Sequence, residues 1–360
     1  MKLRVALVGG PMYDRLYDVL DRSAVEVVIH ADHPTLNRAA AELLSRGERI
    51  DLLCTHSKYA PSQAAWLTPL DEFVSPARMD DLAPAAVGLC RFRGALLCLP
   101  RNIDVRVMWV RRDRGAAPAT WADLLAGHLT FGFPGRESGL FGMFYELVRD
   151  YGGHLFDSEN RPTMQSAEAE AAVQTLVELA QRAPADLVEW HYDEVDAALI
   201  EGRVDAAATW PGGFAGVRRS PHYRNLDVHP YPGGPLGRYS YSGCHAFAIP
   251  TTCGDLPAAI ELLHVVTSPN SARHDSGSGS VPASMTAFAA VEPLDYTDAR
   301  RLRITRDTIA TAMITYPSLT NFPEIENAGW AAINAALGGM LTPHRCVEKL
   351  QAAAQAALGM

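Results

Sequence analysis

Short apolar runs alternate with segments of mixed polarity from the first residues onward. Strands are predicted at residues 3–8, 25–30 and 51–54, because each is a short apolar run that ends in turn residues. The segments that follow the first two strands, up to residue 20 and over 36–46, have helical periodicity. This alternation favours an α/β fold with a mostly parallel sheet, in which ligands bind beyond the carboxyl ends of the strands.

The same alternation continues through the second half of the chain. Further strands are predicted at 130–133, 205–209 and 246–249. Helices are predicted at 118–125, 143–151, 167–182, 195–200, 257–267, 305–313 and 326–337. Two glycine-bearing stretches, residues 135–142 and the Gly/Ser run 276–280, are predicted as loops. Neither is long enough to be a linker between domains.

One strand pattern is interrupted by polar residues. An apolar run over 95–99 ends at Pro100, a second strand pattern covers 105–110, and Arg101, Asn102 and Asp104 lie between them. Such an interruption is typical of a chain that passes an aqueous cleft and presents polar side chains to it. Two structural alternatives remain: an ordinary turn, or pairing of Arg101 and Asn102 with Asp104 that holds a hinge in place.

Composition narrows the class of protein. The chain has 360 residues, enough for two lobes, and 48% of them are hydrophobic. Its net charge of −9 argues against a surface for nucleic acid or anionic membrane. No apolar run approaches the roughly 20 residues of a membrane-spanning helix. We therefore expect a monomeric globular protein without nucleic-acid or membrane partners.

The cysteines and glycines give no sign of a metal or a cofactor. The six cysteines form no CxxC pair and no zinc spacing, and no GxGxxG fingerprint is present. Free thiols fit a reducing compartment. Because residues 3–8 read as a strand and not as the apolar core of a signal peptide, we expect the chain as written to be cytoplasmic. A start site further upstream would instead make it periplasmic or extracellular.

Several stretches, taken in order, resemble the extracellular solute-binding proteins of ABC importers, in the sugar-binding branch that includes maltose-binding protein. Residues 66–73 (WLTPLDEF) resemble a "GxLxPLD" segment, although Trp66 replaces its glycine. The other resembling stretches are 93–100, 107–113, 118–125 (PATWADLL), 152–157 (GGHLFD), 201–207, 246–249, 267–269 and 281–283. The resemblance runs from about residue 50 to the C-terminus.

The resemblance implies a two-lobed periplasmic-binding-protein-like (type II) fold with a ligand cleft between the lobes. Lobe one is expected to comprise residues 1–107 plus 250–306, and lobe two residues 108–249 plus 307–360. A small polar ligand, most plausibly a sugar or an amino sugar, is then trapped as the lobes close. An exported protein of this kind delivers its ligand to an ABC permease.

Sugar recognition needs carboxylates and amides for the hydroxyl groups and aromatic rings for the C–H face. The resemblance implies that Asp104 is a ligand-binding acid and that Trp210 or Phe214 is a stacking ring. Tyr239 and Tyr241 alternate along the chain, so both can face one side. Arg101 and Asn102 are further candidates, with pairing to Asp104 as the alternative, and Glu324 lies where the resemblance implies the last cleft segment. The weaker candidates, for which loop structure is the alternative, are Tyr13, His56, Tyr59 and residues 138–141.

An enzyme on the same fold is the alternative function. Thiaminase I is similar in architecture, and its nucleophilic cysteine follows the corresponding crossover proline. Here that position resembles Asp104, and Cys98 lies before the proline in an apolar run, so a thiolate mechanism is not supported. Cys244 and His245, close to Tyr241, keep open a cytoplasmic enzyme with Asp104 or Cys244 and His245 as its reactive groups.

Overall fold

The computed structural model of the protein describes residues 2–10 and 13–360. Pro11 and Met12, in the turn predicted at residues 9–13, lie outside the described residues. The chain divides into two compact units: unit 1 comprises Met1–Asp104, Gly243–Glu292 and Ser318–Phe322, and unit 2 comprises Val105–Ser242, Pro293–Pro317 and Pro323–Met360. The chain passes from unit 1 to unit 2 after residue 104 and returns to unit 1 after residue 242. The corresponding boundaries of the predicted lobes are residues 107 and 249.

The strands are, in chain order, β1 (Leu3–Val8), β2 (Val25–Ala31), β3 (Leu52–His56), β4 (Arg91–Phe92), β5 (Ala95–Leu96), β6 (Leu99–Pro100), β7 (Asp104–Val105), β8 (Val107–Arg111), β9 (Phe131–Gly132), β10 (Ala206–Thr209), β11 (Leu226–His229), β12 (Ser240–Gly243), β13 (His245–Ala248) and β14 (Met313–Ile314). The interrupted strand pattern of residues 91–113 thus becomes five short strands, β4 to β8.

The helices are α1 (Asp14–Tyr17), α2 (His33–Ser45), α3 (Ala60–Gln63), α4 (Pro76–Asp81), α5 (Pro84–Leu89), α6 (Trp121–Ala126), α7 (Glu137–Asp150), α8 (Ala167–Ala180), α9 (Tyr192–Glu201), α10 (Phe214–Arg218), α11 (Leu256–Val266), α12 (Pro269–Asp275), α13 (Met285–Ala289), α14 (Tyr296–Thr311), α15 (Phe322–Leu337) and α16 (Pro343–Leu358). Short 3₁₀ turns lie at Ala64–Trp66, Leu187–Glu189, Pro211–Gly213, Tyr223–Asn225 and Ser276–Ser278.

The main sheet of unit 1 has the order β2-β1-β3-β13-β6. Strand β1 is parallel to β2 and β3, and β13 runs antiparallel to β3 and β6. All five residues of β3 are buried, as expected for a continuous apolar run at the centre of a sheet. The carboxyl ends of β1, β2 and β3 therefore meet at one edge.

The main sheet of unit 2 has the order β11-β8-β10-β9 and is mixed. Strand β8 is antiparallel to both β10 and β11, and β10 is parallel to β9. The mostly parallel sheet predicted from the sequence is wrong for this unit. Strand β8 runs antiparallel to both of its neighbours, so β9 and β10 form the parallel pair of this sheet.

Both predicted glycine loops are instead packed structure. Helix α7 begins at Glu137, so most of the stretch 135–142 forms its first turns. A Cβ on Gly139 would lie 2.6 Å from Pro134 Cβ, so this glycine permits close packing of a helix. In the second stretch, Ser278 is buried and its hydroxyl donates to the Asp275 carbonyl at 2.7 Å. Glycine therefore marks close contacts here, not mobile loops.

Candidate functional site

Aromatic side chains converge at the strand ends of unit 1. Tyr13 follows β1, His33 begins α2 directly after β2, and His56 ends β3. His245 begins β13 and lies opposite His56 in the antiparallel ladder. We call Tyr13, His33, His56 and His245 the histidine cluster.

The histidine cluster is joined by hydrogen bonds and ring contacts. His245 Nδ1 lies 2.8 Å from Tyr13 Oη and 2.7 Å from His33 Nε2. The ring centroids of His33 and His56 are 4.5 and 5.3 Å from that of His245. Each of these contacts needs a nitrogen lone pair or an N–H of a neutral imidazole, so the protonation of the rings decides how the cluster is bonded.

Burial keeps these rings neutral. Burial, with a smaller contribution from the positive charges of Lys58 and Arg101, lowers the pKa of His33 to about 3. Burial also lowers the pKa values of His56 and His245 well below the usual range, again with a contribution from neighbouring positive groups. At neutral pH the cluster therefore offers hydrogen-bonding groups and no charge of its own.

Three of the predicted site residues lie next to the histidine cluster and are buried. Arg101 Nη2 is 3.3 Å from Asp275 Oδ2, and its guanidinium lies 5.2 Å from the centroid of the Tyr13 ring. Asn102 Nδ2 donates to Asp104 Oδ2 at 3.2 Å. Of the pairings considered from the sequence, Asn102 therefore bonds to Asp104, whereas Arg101 forms its ion pair with a different acid, Asp275.

Tyr59, also in unit 1, is buried. Lys58 Nζ lies 4.8 Å from the centroid of its ring, and the ring of His56 lies 6.2 Å away. In residues 2–10 and 13–360, no group of three or more His, Cys, Asp or Glu side chains is arranged to hold a metal ion.

Unit 2 holds a second group of rings, Tyr192, Trp210, Tyr241 and Tyr316, which we call the aromatic cluster. Trp210 follows β10, and its ring meets those of Tyr192 and Tyr241 nearly at right angles, at 86° and 88° and centroid distances of 6.1 and 5.7 Å. The ring centroids of Tyr241 and Tyr316 lie 4.6 Å apart. Gly142 of α7 makes room for them, because a Cβ there would lie 2.9 Å from the Tyr241 ring.

A buried ion pair positions the aromatic cluster. Arg106, which links β7 and β8, donates to Glu146 of α7 through Nε at 3.2 Å and also through Nη2. Glu146 also accepts from the Tyr241 backbone N–H at 2.8 Å and from the Ser240 hydroxyl at 3.3 Å. The Arg106 guanidinium lies 5.6 Å from the centroid of the Trp210 ring. One carboxylate thus connects the helix, strand β12 and the arginine that contacts Trp210.

The other predicted residues of unit 2 lie elsewhere. Phe214 is buried, with the ring of Trp109 stacked at 6.0 Å and the guanidinium of Arg301 at 4.3 Å. Tyr239 is half-buried and lies under the guanidinium of Arg149, at 5.1 Å. Glu324 is exposed in the first turn of α15.

Sequence reasoning missed Arg106, Glu146, Tyr192 and Glu326. Glu326 is buried, and with Phe322, Ile325 and Gly329 it forms the i, i+3, i+4, i+7 pattern of a buried helix face. A glutamate on a buried helix face is unusual, and this pattern in the sequence could have identified Glu326 as a candidate site residue. After burial, Glu326 makes the largest contribution to raising the pKa of Tyr241, so its charge acts directly on the aromatic cluster.

A cavity of about 240 Å³ also lies within unit 2, next to the aromatic cluster. Tyr145 and Tyr316 form one wall with their rings stacked 4.9 Å apart, and His154, Asp157 and Asn160 line another part. The Tyr145 hydroxyl donates to the Thr315 carbonyl at 2.9 Å. The cavity therefore shares the Tyr316 ring with the aromatic cluster.

The thiol considered for an enzymatic reaction is not accessible. Cys244 is fully buried, its Sγ lies 3.9 Å from the Ala86 carbonyl oxygen, and all six cysteines are free thiols. A nucleophilic cysteine needs access to substrate and a stabilised thiolate, and burial in apolar surroundings opposes both.

Within the described part of the chain, every helix is too short or too polar to cross a bilayer. A search of curated protein sequences gives no match. Solved structures do match across the whole chain. Maltose-bound MalE3 of T. maritima has a TM-score of 0.88 at 20% identity, covering 98% of this chain and 99% of that one.

Two further structures have the same fold. A solute-binding protein of Thermotoga lettingae bound to α-D-tagatose has a TM-score of 0.88 at 18% identity and covers 99% of this chain and 100% of its own. The GacH receptor of Streptomyces glaucescens, solved unliganded and with acarbose, has a TM-score of 0.86 at 15% identity. The match covers 99% of this chain and 98% of the GacH chain. The α/β fold is therefore that of the two-lobed solute-binding proteins.

The comparisons give no support to the alternative of an enzyme. The sequence profile of a family described as bacterial extracellular solute-binding protein matches residues 47–272, well over half of the chain. The match covers most of the stretches in which the resemblance was first seen. The chain belongs to the bacterial extracellular solute-binding protein family.

Proposed function

We propose that this solute-binding protein takes up a small polar ligand, a sugar or an amino sugar, and releases it chemically unchanged. The observation that carries this proposal is the aromatic cluster, whose perpendicular rings lie in the field of the buried Glu326 carboxylate. Ring faces suit the C–H side of a pyranose, and carboxylates accept from its hydroxyl groups. Structural neighbours that bind maltose and tagatose support the same ligand class.

We further propose that residues of both units hold the ligand. Asp104, Asn102, Arg101, Tyr13 and Tyr59 are the candidates from unit 1, and Trp210 and Tyr241 are the stronger candidates from unit 2. The expected lobes, 1–107 with 250–306 and 108–249 with 307–360, then close on the ligand as two bodies.

The family description, extracellular, supports a location outside the cytoplasm and an ABC permease as the partner that accepts the ligand. A cytoplasmic location for the chain as written is the alternative expectation. We propose that the protein acts as a monomer in either compartment.

Thermal denaturation in the presence of a panel of sugars tests the proposal. A sugar that binds only the folded protein raises the melting temperature, since binding adds RT ln(1 + [L]/Kd) to the free energy of unfolding. We expect Asp104→Ala and Trp210→Ala to abolish this rise while the far-ultraviolet circular dichroism stays unchanged. Mass spectrometry should recover the bound sugar intact; conversion of the sugar, or a rise retained in both variants, would contradict the proposal.

A further inference from the structure

An aspartate without a partner lies beside the aromatic cluster. Asp196 is on helix α9, four residues after Tyr192 and thus on the same face of the helix. Its carboxyl group lies against the turn Pro211–Gly213, where a Cβ on Gly213 would collide with Oδ2. That turn directly follows Trp210, so the carboxyl group lies against the backbone segment that leads out of the aromatic cluster.

Asp196 forms no hydrogen bond or ion pair with any residue in 2–10 or 13–360. Its burial, together with the charge of Asp193, raises its pKa to about 8. A half-buried carboxyl group without a donor from the protein is costly to ionise, and it is the kind of group that a positively charged ligand stabilises.

The charges around the aromatic cluster have a negative balance. Arg106 and Glu146 pair with each other at a side-chain exposure of 0% for both, so their charges offset. Glu137 also acts on Tyr192, but it pairs with Arg136 at 3.2 Å. Two further acids act on or lie beside the cluster, Glu326, which is buried, and Asp196. The Trp210 ring already has one cation, the Arg106 guanidinium, near its face. Aromatic faces and carboxylates together attract cations.

Two shielded donors point to hydroxyl groups on the same ligand. Within the described residues, neither Arg106 Nη1 nor Trp210 Nε1 has a hydrogen-bond acceptor, and both atoms are shielded from solvent. Arg106 itself is only 1% exposed. Sugar hydroxyl oxygens accept hydrogen bonds from N–H groups of this kind. The site therefore combines donors for hydroxyl groups with a carboxyl group that lacks a donor.

We propose that the ligand bound at the aromatic cluster is an amino sugar whose protonated amine is received by the Asp196 carboxylate. This inference rests on the proposed function and narrows its ligand class. The ammonium supplies the charge and the N–H donors that Asp196 lacks, the ring faces cover the sugar, and Arg106 and Trp210 donate to its hydroxyl groups.

Calorimetric titration with matched probes tests the inference. D-Glucosamine and D-galactosamine carry the charged amine, their N-acetyl derivatives carry a neutral amide, and D-glucose and D-galactose carry a hydroxyl group. We expect at least one amine to bind about tenfold more tightly than its two neutral counterparts, as for a charge-assisted hydrogen bond in a shielded site. Asp196→Asn should remove this preference, whereas Glu201→Gln, on an exposed residue of the same helix, should keep it.

Choline, a cation that is not a sugar, separates the two proposals. Neutral sugars that bind as tightly as the amines, with Asp196→Asn unchanged, overturn the inference and leave the proposed function standing. Choline binding that Asp196→Asn abolishes, with no sugar bound, supports the cation site and overturns the sugar ligand. No binding of any probe overturns both.

Discussion

The histidine cluster of unit 1 and the aromatic cluster of unit 2 are both built at strand ends, but their surroundings have opposite charge. Lys58 and Arg101 lower the pKa of His33, so the first cluster lies in a positive field. Glu326 raises the pKa of Tyr241 in the second, after the larger effect of burial. The first field favours groups that accept hydrogen bonds, and the second favours a positive charge.

The two regions also differ in how their buried arginine is held. Glu146 accepts from Arg106 through two nitrogens and also from Ser240 and Tyr241, whereas Arg101 has an ion-pair contact with Asp275 at 3.3 Å. Unit 2 thus has a bidentate, fully engaged carboxylate, and unit 1 has a looser pair. Removing each carboxylate charge should therefore have unequal effects.

The largest expected effect is that of Glu146→Gln. This change leaves the Arg106 charge buried without its counter-ion, and we expect it to lower the free energy of unfolding by about 3 kcal/mol. Asp275→Asn should cost less, because Asp275 has fewer bonds to lose. Urea denaturation measures both, with Glu348→Gln of the exposed Arg345 pair as a control expected to stay below about 1 kcal/mol. Equal losses in the free energy of unfolding for Glu146→Gln and Asp275→Asn would contradict the expected difference between the two ion pairs.

A smaller effect is expected from Asp196→Asn, and it depends on pH. The folded-state pKa of about 8 lies above the ordinary value of 3.8, so the stability that wild type gains from a protonated Asp196 is present below pH 4 and lost as the pH rises to 8. Between these limits, the free energy of unfolding of the variant should rise by on the order of 2 kcal/mol relative to that of wild type. This figure is smaller than the full pKa difference implies, because solvent screens a partly exposed group. Parallel unfolding curves at pH 5 and pH 8 would refute a shielded Asp196.

The smallest effect, of opposite sign with pH, belongs to His33→Gln. The pKa of His33 falls from 6.5 to about 3, so the stability linked to neutral His33 is present above pH 6.5 and lost as the pH falls towards 3. Over this range, the free energy of unfolding of wild type should fall by about 1 kcal/mol relative to that of the variant. The expected loss is small because neighbouring rings can share the proton. Thermal denaturation from pH 7 to pH 4 measures the difference. If the difference in melting temperature between wild type and the variant stays constant from pH 7 to pH 4, His33 is solvated and its pKa is not lowered.

The sequence predicted the framework well where a pattern has one structural meaning. Strands β1, β2 and β3 lie where short apolar runs predict them, and the collinear segments from residue 66 onward identified the family. Trp210 and Phe214 were selected because they flank Pro-Gly-Gly where the resembling family has a stacking ring, and the structure brings Trp210 into the aromatic cluster. These features depend on local spacing, which a single sequence contains.

The misses depend on contacts between distant residues. Glu326 was not considered, although helical phase places it on the buried face of α15. Arg106 and Glu146 lie 40 residues apart, and no local pattern predicts that they pair. Tyr192 meets Trp210, and Asp196 meets Gly213, only when α9 packs against the end of β10. All of the site residues predicted from the sequence remain predictions as ligand contacts.

Gly142 shows how the ligand preference of such a site could change without altering any group that touches the ligand. The Tyr241 ring occupies the volume that a single methyl group on α7 would fill. An added methyl would push that ring towards Trp210 and Tyr316 and narrow the space between them, since packed interiors transmit such displacements. The width of the binding surface is therefore encoded one layer behind it, at a residue with no side chain.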